Sequence, residues 1–495
     1  MKIMKNENFS IFFQKKSIIM LLFGFSSGLP ILLVFSTLSV WLIKAGLERS
    51  TVTLFSWVGF AYAFKYIWAP IIDSYKISIL KKFGHRKSWL LISQIMIVVA
   101  LICVANSDPL KNITFTAIAI TFVAFASATQ DITIDAFRIE SAPQKYQGIL
   151  SSMYIAGYRI AMIVSGAGSL LLASHLGAEI YSLEVWQTVY LYMACFMSIG
   201  ILTTFFSTEP KVKKFYLNSL KNKLNFFVVF IISLIAFAYL YSLLDNPFSG
   251  KKVLNKFLFS AFRIFLCFFL CSIIFYIFIF FGFISKKHTS KIYINPITNF
   301  INRYGKMAIG ILLLIGLYRI ADVVMGVMAN IFYLEKGFNI KEIATYSKFF
   351  GVFATIIGGF AGGLFAMKFG TMKALFLGAL LAATSNLLFM WLAIAPISIE
   401  LLITAITADN ISSGFAGAAF VIYLSALTSL KFTATQYALF SSLMLFLPKL
   451  IAGYAGSWVD TIGYPNFFLL TSILGIPILF MIIWISKVAP IKERK

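Results

Sequence analysis

Long apolar runs broken by short polar clusters set the rhythm of this chain. A helix needs about 20 apolar residues to cross the hydrocarbon of a bilayer. Runs of that length predict spans near 18–43, 51–73, 88–106, 114–137, 148–174 and 185–206. Two more follow near 226–244 and 257–284, then six near 307–334, 347–367, 372–395, 399–428, 435–459 and 464–486. The grouping is six, two and six. It predicts an all-α integral membrane protein with about 14 transmembrane helices. The parts are a six-helix half over 1–206, linkers with an inserted hairpin over 207–306, and a six-helix half over 307–495.

A weak internal repeat supports two related halves. Trp41-Leu42-Ile43-Lys44-Ala45-Gly46-Leu47 in the leading half is echoed by Phe332-Tyr333-Leu334-Glu335-Lys336-Gly337-Phe338 in the trailing half. One span later, Phe83-Gly84-His85-Arg86-Lys87 is matched by Phe369-Gly370-Thr371-Met372-Lys373. Duplicated halves are a common plan for secondary transporters, which hold substrate at mid-membrane between them.

Composition excludes an ordinary soluble domain. The chain is 60% hydrophobic and 12% charged, with mean hydropathy +0.90, and soluble domains carry about twice that charged fraction. A net charge of +24 does not imply nucleic acid, because the bases sit in short clusters between apolar runs. These clusters, at 2–16, 76–87, 211–223, 286–306 and 487–495, share one side of the membrane if the spans alternate. The positive-inside rule makes that side cytoplasmic, with both termini there. Lys251, Lys252 and Lys256 break the pattern, and basic clusters also suit anionic lipid. Cys103, Cys195, Cys267 and Cys271 all lie in apolar segments and read as packing thiols, with no disulfide or zinc spacing.

Polar residues inside spans are costly and mark pathways or partner pairs. In the leading half they are Lys65, Gln130, Asp131, Asp135 and Arg159; in the trailing half, Arg319, Asp322, Asp409, Asn410 and Lys449. Asp131 and Asp135 are four apart, so a helix stacks them on one face, as for a proton or cation site. Arg138 and Glu140 are expected at the water-facing end of that helix. Lys65 and Arg159 are expected to neutralise Asp131 or to bind an anion. Arg319 and Asp322 suit an intrahelical pair, and Lys449 follows a bend at Pro448. Gly28 and Pro30 allow the first helix to bend and approach a ligand or neighbour. Ala128 leaves room beside Gln130, whose amide suits N-acetyl groups and sugar hydroxyls. Trp41, Trp57, Trp68 and Tyr158 either stack on sugar rings or pack in the core.

Several of these stretches together resemble the AmpG muropeptide permease family, a branch of the major facilitator superfamily. They are Phe25-Ser26-Ser27-Gly28-Leu29-Pro30, Phe64-Lys65-Tyr66-Ile67-Trp68-Ala69-Pro70-Ile71-Ile72-Asp73, Ala128 to Glu140, and Gly157-Tyr158-Arg159. In the trailing half Asp409-Asn410-Ile411-Ser412-Ser413-Gly414 and Phe432-Thr433-Ala434-Thr435-Gln436-Tyr437 join them. The resemblance implies proton-coupled import of an anhydro-muropeptide by alternating access across the bacterial inner membrane, for cell-wall recycling. Proton coupling is then expected at the stacked carboxylates Asp131 and Asp135, and the resemblance carries a conformational-loop role to Asp73, Arg86 and Lys87. The superfamily's loop signature fits poorly, since Ala69 and Ser74 replace its usual glycine and arginine. The extra hairpin also looks like this family, and its expected role is lipid-facing packing.

Two alternatives stay open: a transporter of acyl-coenzyme A or another organic anion, and a non-transporting membrane sensor or scaffold. Enzyme chemistry is not expected. His85, His175 and His288 are scattered in loops, and no nucleophile–base pair, metal spacing or cofactor motif emerges.

Overall fold

The computed structural model describes residues 14–47, 55–77, 80–177, 181–211, 220–244, 253–338, 342, 346, 350–452 and 455–488. Among them ten helices are long and apolar enough to cross a membrane. Numbering the spans of the two halves as one to twelve and leaving out the inserted hairpin, segments one and three to six are Lys15–Lys44, His85–Ala105, Ile113–Ser141, Gln144–His175 and Leu183–Phe206. Segments seven to ten are Met307–Ala329, Gly351–Phe369, Thr371–Ile394 and Ile399–Leu427, and the twelfth is Trp458–Val488. The eleventh is the helix Thr433–Ala452, with Pro448 inside it.

The second segment departs from the expected single helix. It runs as a 3-10 turn Phe55–Gly59, a helical turn Phe60–Ala63, a second 3-10 turn Lys65–Ile67 and a short helix Ala69–Ser74. Pro70 lacks the N–H that would continue the ladder and disfavours helical geometry at the residue before it. Bulky neighbours occupy the breaks at Phe64 and Trp68.

The repeat seen in the sequence is also present in the backbone. Gly46 and Gly337, which follow the helices ending at Lys44 and Lys336, have φ of 86° and 105°. Gly84 and Gly370, which precede the helices starting at His85 and Thr371, have φ of 95° and 90°. This left-handed region is open to glycine and strained for other residues.

Small residues bring the helices together. Segments one and five pack through Gly24, Gly28 and Gly157, where backbone meets backbone. In segment eight, Gly358 and Gly362 face the carbonyls of Ile411 and Phe415 on segment ten. One position on, Gly359 and Gly363 face Ser152 and Gly148 on segment five. Segment eight thus fits between a helix of its own half and a helix of the other. Residues 214–303 with 73–76 cluster as a separate compact unit. Within it the helices Leu220–Leu243 and Val253–Phe280 pair, and Arg263 lies 3.9 Å from the Tyr241 ring.

A Cβ at position 157 would come within 1.8 Å of the Leu21 carbonyl oxygen, which neither helix can yield without separating. Gly157→Ala is expected to destabilise the chain by about 1–3 kcal/mol. Gly326→Ala, which meets nothing within 4 Å, is the control. Thermal unfolding of the purified protein should show a lowered midpoint for the first variant and none for the second.

Candidate functional site

Segment four carries the polar run, and every member of it has been drawn into the protein. Gln130 and Arg138 are fully buried, while Asp131 and Asp135 keep 9% and 7% exposure. Pro30 on segment one has no N–H for the Ser26 carbonyl, and Gln130 Nε2 donates to that freed oxygen at 3.0 Å. Ser26 Oγ returns a bond to Gln130 Oε1 at 2.9 Å. Next to this junction Ser27 Oγ donates to Asp131 Oδ1. Tyr154 on segment five lies 2.8 Å from Ser27 Oγ. With Asp131 ionised, the Ser27 proton points at the carboxylate, so the Tyr154 hydroxyl donates to Ser27. Protonating Asp131 removes the need for that polarity, so the three groups form a chain able to reverse direction.

One turn on, Asp135 lies between two cations. Lys65 Nζ is 4.0 Å away and Arg138 Nη2 is 3.5 Å away. Arg138 Nη1 donates to Gln147 and Ser151 of segment five at 3.0 and 3.1 Å, and to Ser425 of segment ten at 2.9 Å. Its guanidinium lies 5.4 Å from the Tyr437 ring on segment eleven. At this same end, here called the base, Arg86 makes a forked bond to Glu140 at 2.7 and 3.1 Å. Glu209, after segment six, accepts the Arg86 and Lys87 backbone N–H groups at 2.8 and 3.0 Å, a carboxylate closing a helix N-terminus.

The trailing half has its own cluster. Segment seven breaks between Leu317 and Ile320. Arg319 in this break bonds Asp322 through Nε at 2.9 Å and also through Nη2, and it donates to Ser413 at 3.1 Å. Asp409, one turn before Ser413, lies within electrostatic reach of both Arg319 and Asp322. Asn410 accepts from Thr355 at 2.9 Å and donates to the Ile406 carbonyl at 2.8 Å.

Comparison with known proteins fits this architecture. A family model described as Acetyl-coenzyme A transporter 1 matches residues 17–225. A Rickettsia felis relative named AmpG 4 is 31% identical over 464 residues, covering 94% of this chain and 95% of the relative. Its Rickettsia conorii counterpart is 30% identical over 463 residues, covering 94% of each. This chain belongs to the AmpG transporter family. Among solved structures, the proton:xylose symporter XylE aligns at a TM-score of 0.58 and 13% identity, over 98% of this chain and 96% of that one. The Fucose:proton symporter FucP of E. coli aligns at 0.55 and 12%, over 94% and 97%. The fold is therefore that of the major facilitator superfamily, and the AmpG-family chain is a multi-pass membrane protein of the secondary-transporter type.

Several expectations change in this AmpG-family chain. Arg138 and Glu140 do not meet water: Arg138 is fully buried, and the Glu140 side chain is 2% exposed against Arg86. Lys65 forms its ion pair with Asp135 and lies within electrostatic reach of Asp131 as well. Gln130 is held by Ser26, Gly28 lies against the Tyr158 backbone, and Ala128 is fully buried. Gln130 and Gly28 thus take part in contacts between helices. Lys449 is exposed and belongs to neither cluster. Trp41 stacks on Trp186 in the core, and Trp68 donates to Thr129 at 3.1 Å; the Trp57 side chain lies outside the described residues. Asp73 is buried, and Arg86 and Lys87 fasten to groups of their own half. Ser27, Tyr154, Glu209 and the paired glycines 358–363 make contacts in and around the candidate site that the sequence did not single out. The glycines carried a legible signal, small residues spaced by four; the others are ordinary until the helices are placed.

Removing Arg86 would take from the buried Glu140 carboxylate the guanidinium that forks onto it, and breaking a buried pair costs about 3–5 kcal/mol. Arg86→Ala is expected to lower the thermal midpoint strongly. The double variant Arg86→Ala, Glu140→Ala should recover part of the loss. An additive double variant in the same unfolding assay would contradict the pairing.

Proposed function

We propose that this chain imports anhydro-muropeptides, GlcNAc-anhydroMurNAc-peptides, with protons across the bacterial inner membrane for cell-wall recycling. The observation that carries the reading is Asp131. It is held by Ser27, which is itself bonded to Tyr154, at the meeting of segments one, four and five, and makes no ion pair among the described residues. A carboxylate with a hydroxyl partner and no dedicated cation is suited to gain and lose a proton. Asp135, set between Lys65 and Arg138, is suited to pass that change to the base. Tyr158, Arg159, Arg319 and Asn410 supply the aromatic, basic and amide groups that a large amphiphilic anion requires, Asp322 and Asp409 set the charge around Arg319, and Lys65 adds a third cation. The base is assigned to the cytoplasm on the placement of lysine and arginine. The contacts sealing it then suit a state that takes cargo from outside. Asp73, Arg86 and Lys87 are proposed to act in the loop that stabilises this closed base.

A second reading, transport of acyl-coenzyme A, is favoured by one specific finding, the family-model match over 17–225. Uptake of radiolabelled anhydro-muropeptide into cells lacking their own permease, with unlabelled acetyl-coenzyme A as competitor, separates the two. In that assay Asp131→Asn is expected to lower the initial rate about tenfold or more, and the residual uptake should ignore an uncoupler that abolishes wild-type uptake. A variant working at the normal rate and still abolished by the uncoupler would remove Asp131 from the proton path.

A further inference from the structure

Segment five presents one face to the trailing half, and that face changes character along its length. Nearest the base, Gly148 lies against Gly363. One turn on, Ser152 donates to the Gly359 carbonyl at 2.8 Å, and Ile155 also packs beside Gly359. Arg159 is the next residue on this stripe, four beyond Ile155. Gly359 also lies beside the Gly414 carbonyl of segment ten, next to the Ser413 that Arg319 bonds, so the stripe leads toward Arg319, the charged group within electrostatic reach of Arg159.

The two guanidiniums are provided for differently. Arg319 is paired with Asp322, donates to Ser413, and has Asp409 nearby. Arg159 makes no ion pair among the described residues, and its hydrogen bonding there is a 3.8 Å contact to the Met162 sulfur. Both remain partly accessible, Arg319 with 25% of its side chain exposed. Two like charges within electrostatic reach of each other at membrane depth repel, and a bound anion between them converts that repulsion into two attractions. Guanidinium forks match the planar, two-oxygen edge of a carboxylate or phosphate.

We propose that Arg159 and Arg319 form a clamp, one arm from each half, for a carboxylate or phosphate group on the cargo. Filling the clamp removes the repulsion across the seam and lets the halves draw together above the base. The inference rests on the anion-import reading and names the group that the two halves share.

The test is ligand binding to the full-length detergent-purified chain, using anhydro-muropeptide, acetyl-coenzyme A and an anhydro-muropeptide whose carboxyls are amidated. Wild type is expected to prefer at least one anion over the uncharged analogue by about tenfold. Arg159→Gln should lose that preference, with a thermal unfolding midpoint equal to that of wild type as the control for folding. Arg159→Lys should recover part of it. Equal binding of charged and uncharged ligands by wild type overturns the clamp, and so does an undiminished preference in Arg159→Gln. Muropeptide binding that ignores Arg159 leaves the import reading standing without the clamp. Arg159-dependent binding of acetyl-coenzyme A alone keeps the clamp and removes the muropeptide. Failure of all three ligands to bind wild type removes both.

Discussion

Arg138 is a cation with no water around it, and the base of this transporter is built to accommodate it. A guanidinium taken out of solvent is costly unless charge and hydrogen bonds replace the water. Here the replacements come from four segments: Asp135 on its own helix, Gln147 and Ser151 on segment five, Ser425 on segment ten, and the Tyr437 ring on segment eleven. Two of these partners belong to the other half. Separating the halves at this end therefore strips Arg138 of partners, and the separation is tolerable only if water or rearranged charge takes their place. The electrostatics of one side chain thus favour either a closed base or a wet one.

The glycine faces make that closure possible. Gly359 and Gly363 let segment eight approach Ser152 and Gly148 closely, and Arg138 reaches Ser425 between the same two halves. On other faces of the same helices, Gly358, Gly362 and Gly157 hold each half together. Small residues thus serve both the permanent contacts and the one that transport must break. The carboxylates lie just above this seam. Asp135 touches Arg138 directly, and Asp131, a turn away, is linked through Ser27 to Tyr154 on segment five.

Much of this was legible in the chain. Apolar run lengths located most spans, because the hydrocarbon thickness imposes them, and the cost of charge in lipid singled out Asp131, Asp135, Arg159 and Arg319. What failed was the fate of individual polar groups. Arg138 and Glu140, near a helix end, looked like surface residues, since nothing local reveals that Ser425 and Arg86, distant in sequence, come to meet them. Gln130 looked like a ligand for sugar, yet Pro30, far away in sequence, had freed a carbonyl that claimed it. Segment two passed as a helix because run length is blind to the break that Pro70 and its aromatic neighbours impose. Partners distant in sequence decide whether a polar side chain is structural or free, and a single chain does not disclose them.

The claim on which the rest turns is that the halves are sealed at the base by a contact that transport has to open. It is tested by cross-linking Ser152→Cys to Gly359→Cys in a chain whose native Cys103, Cys195, Cys267 and Cys271 have been replaced. The account predicts rapid cross-linking in the resting protein, slowed when cargo and a proton gradient are supplied, with transport arrested once the link forms. Absence of cross-linking under every condition, or a linked protein that transports at the normal rate, would contradict it.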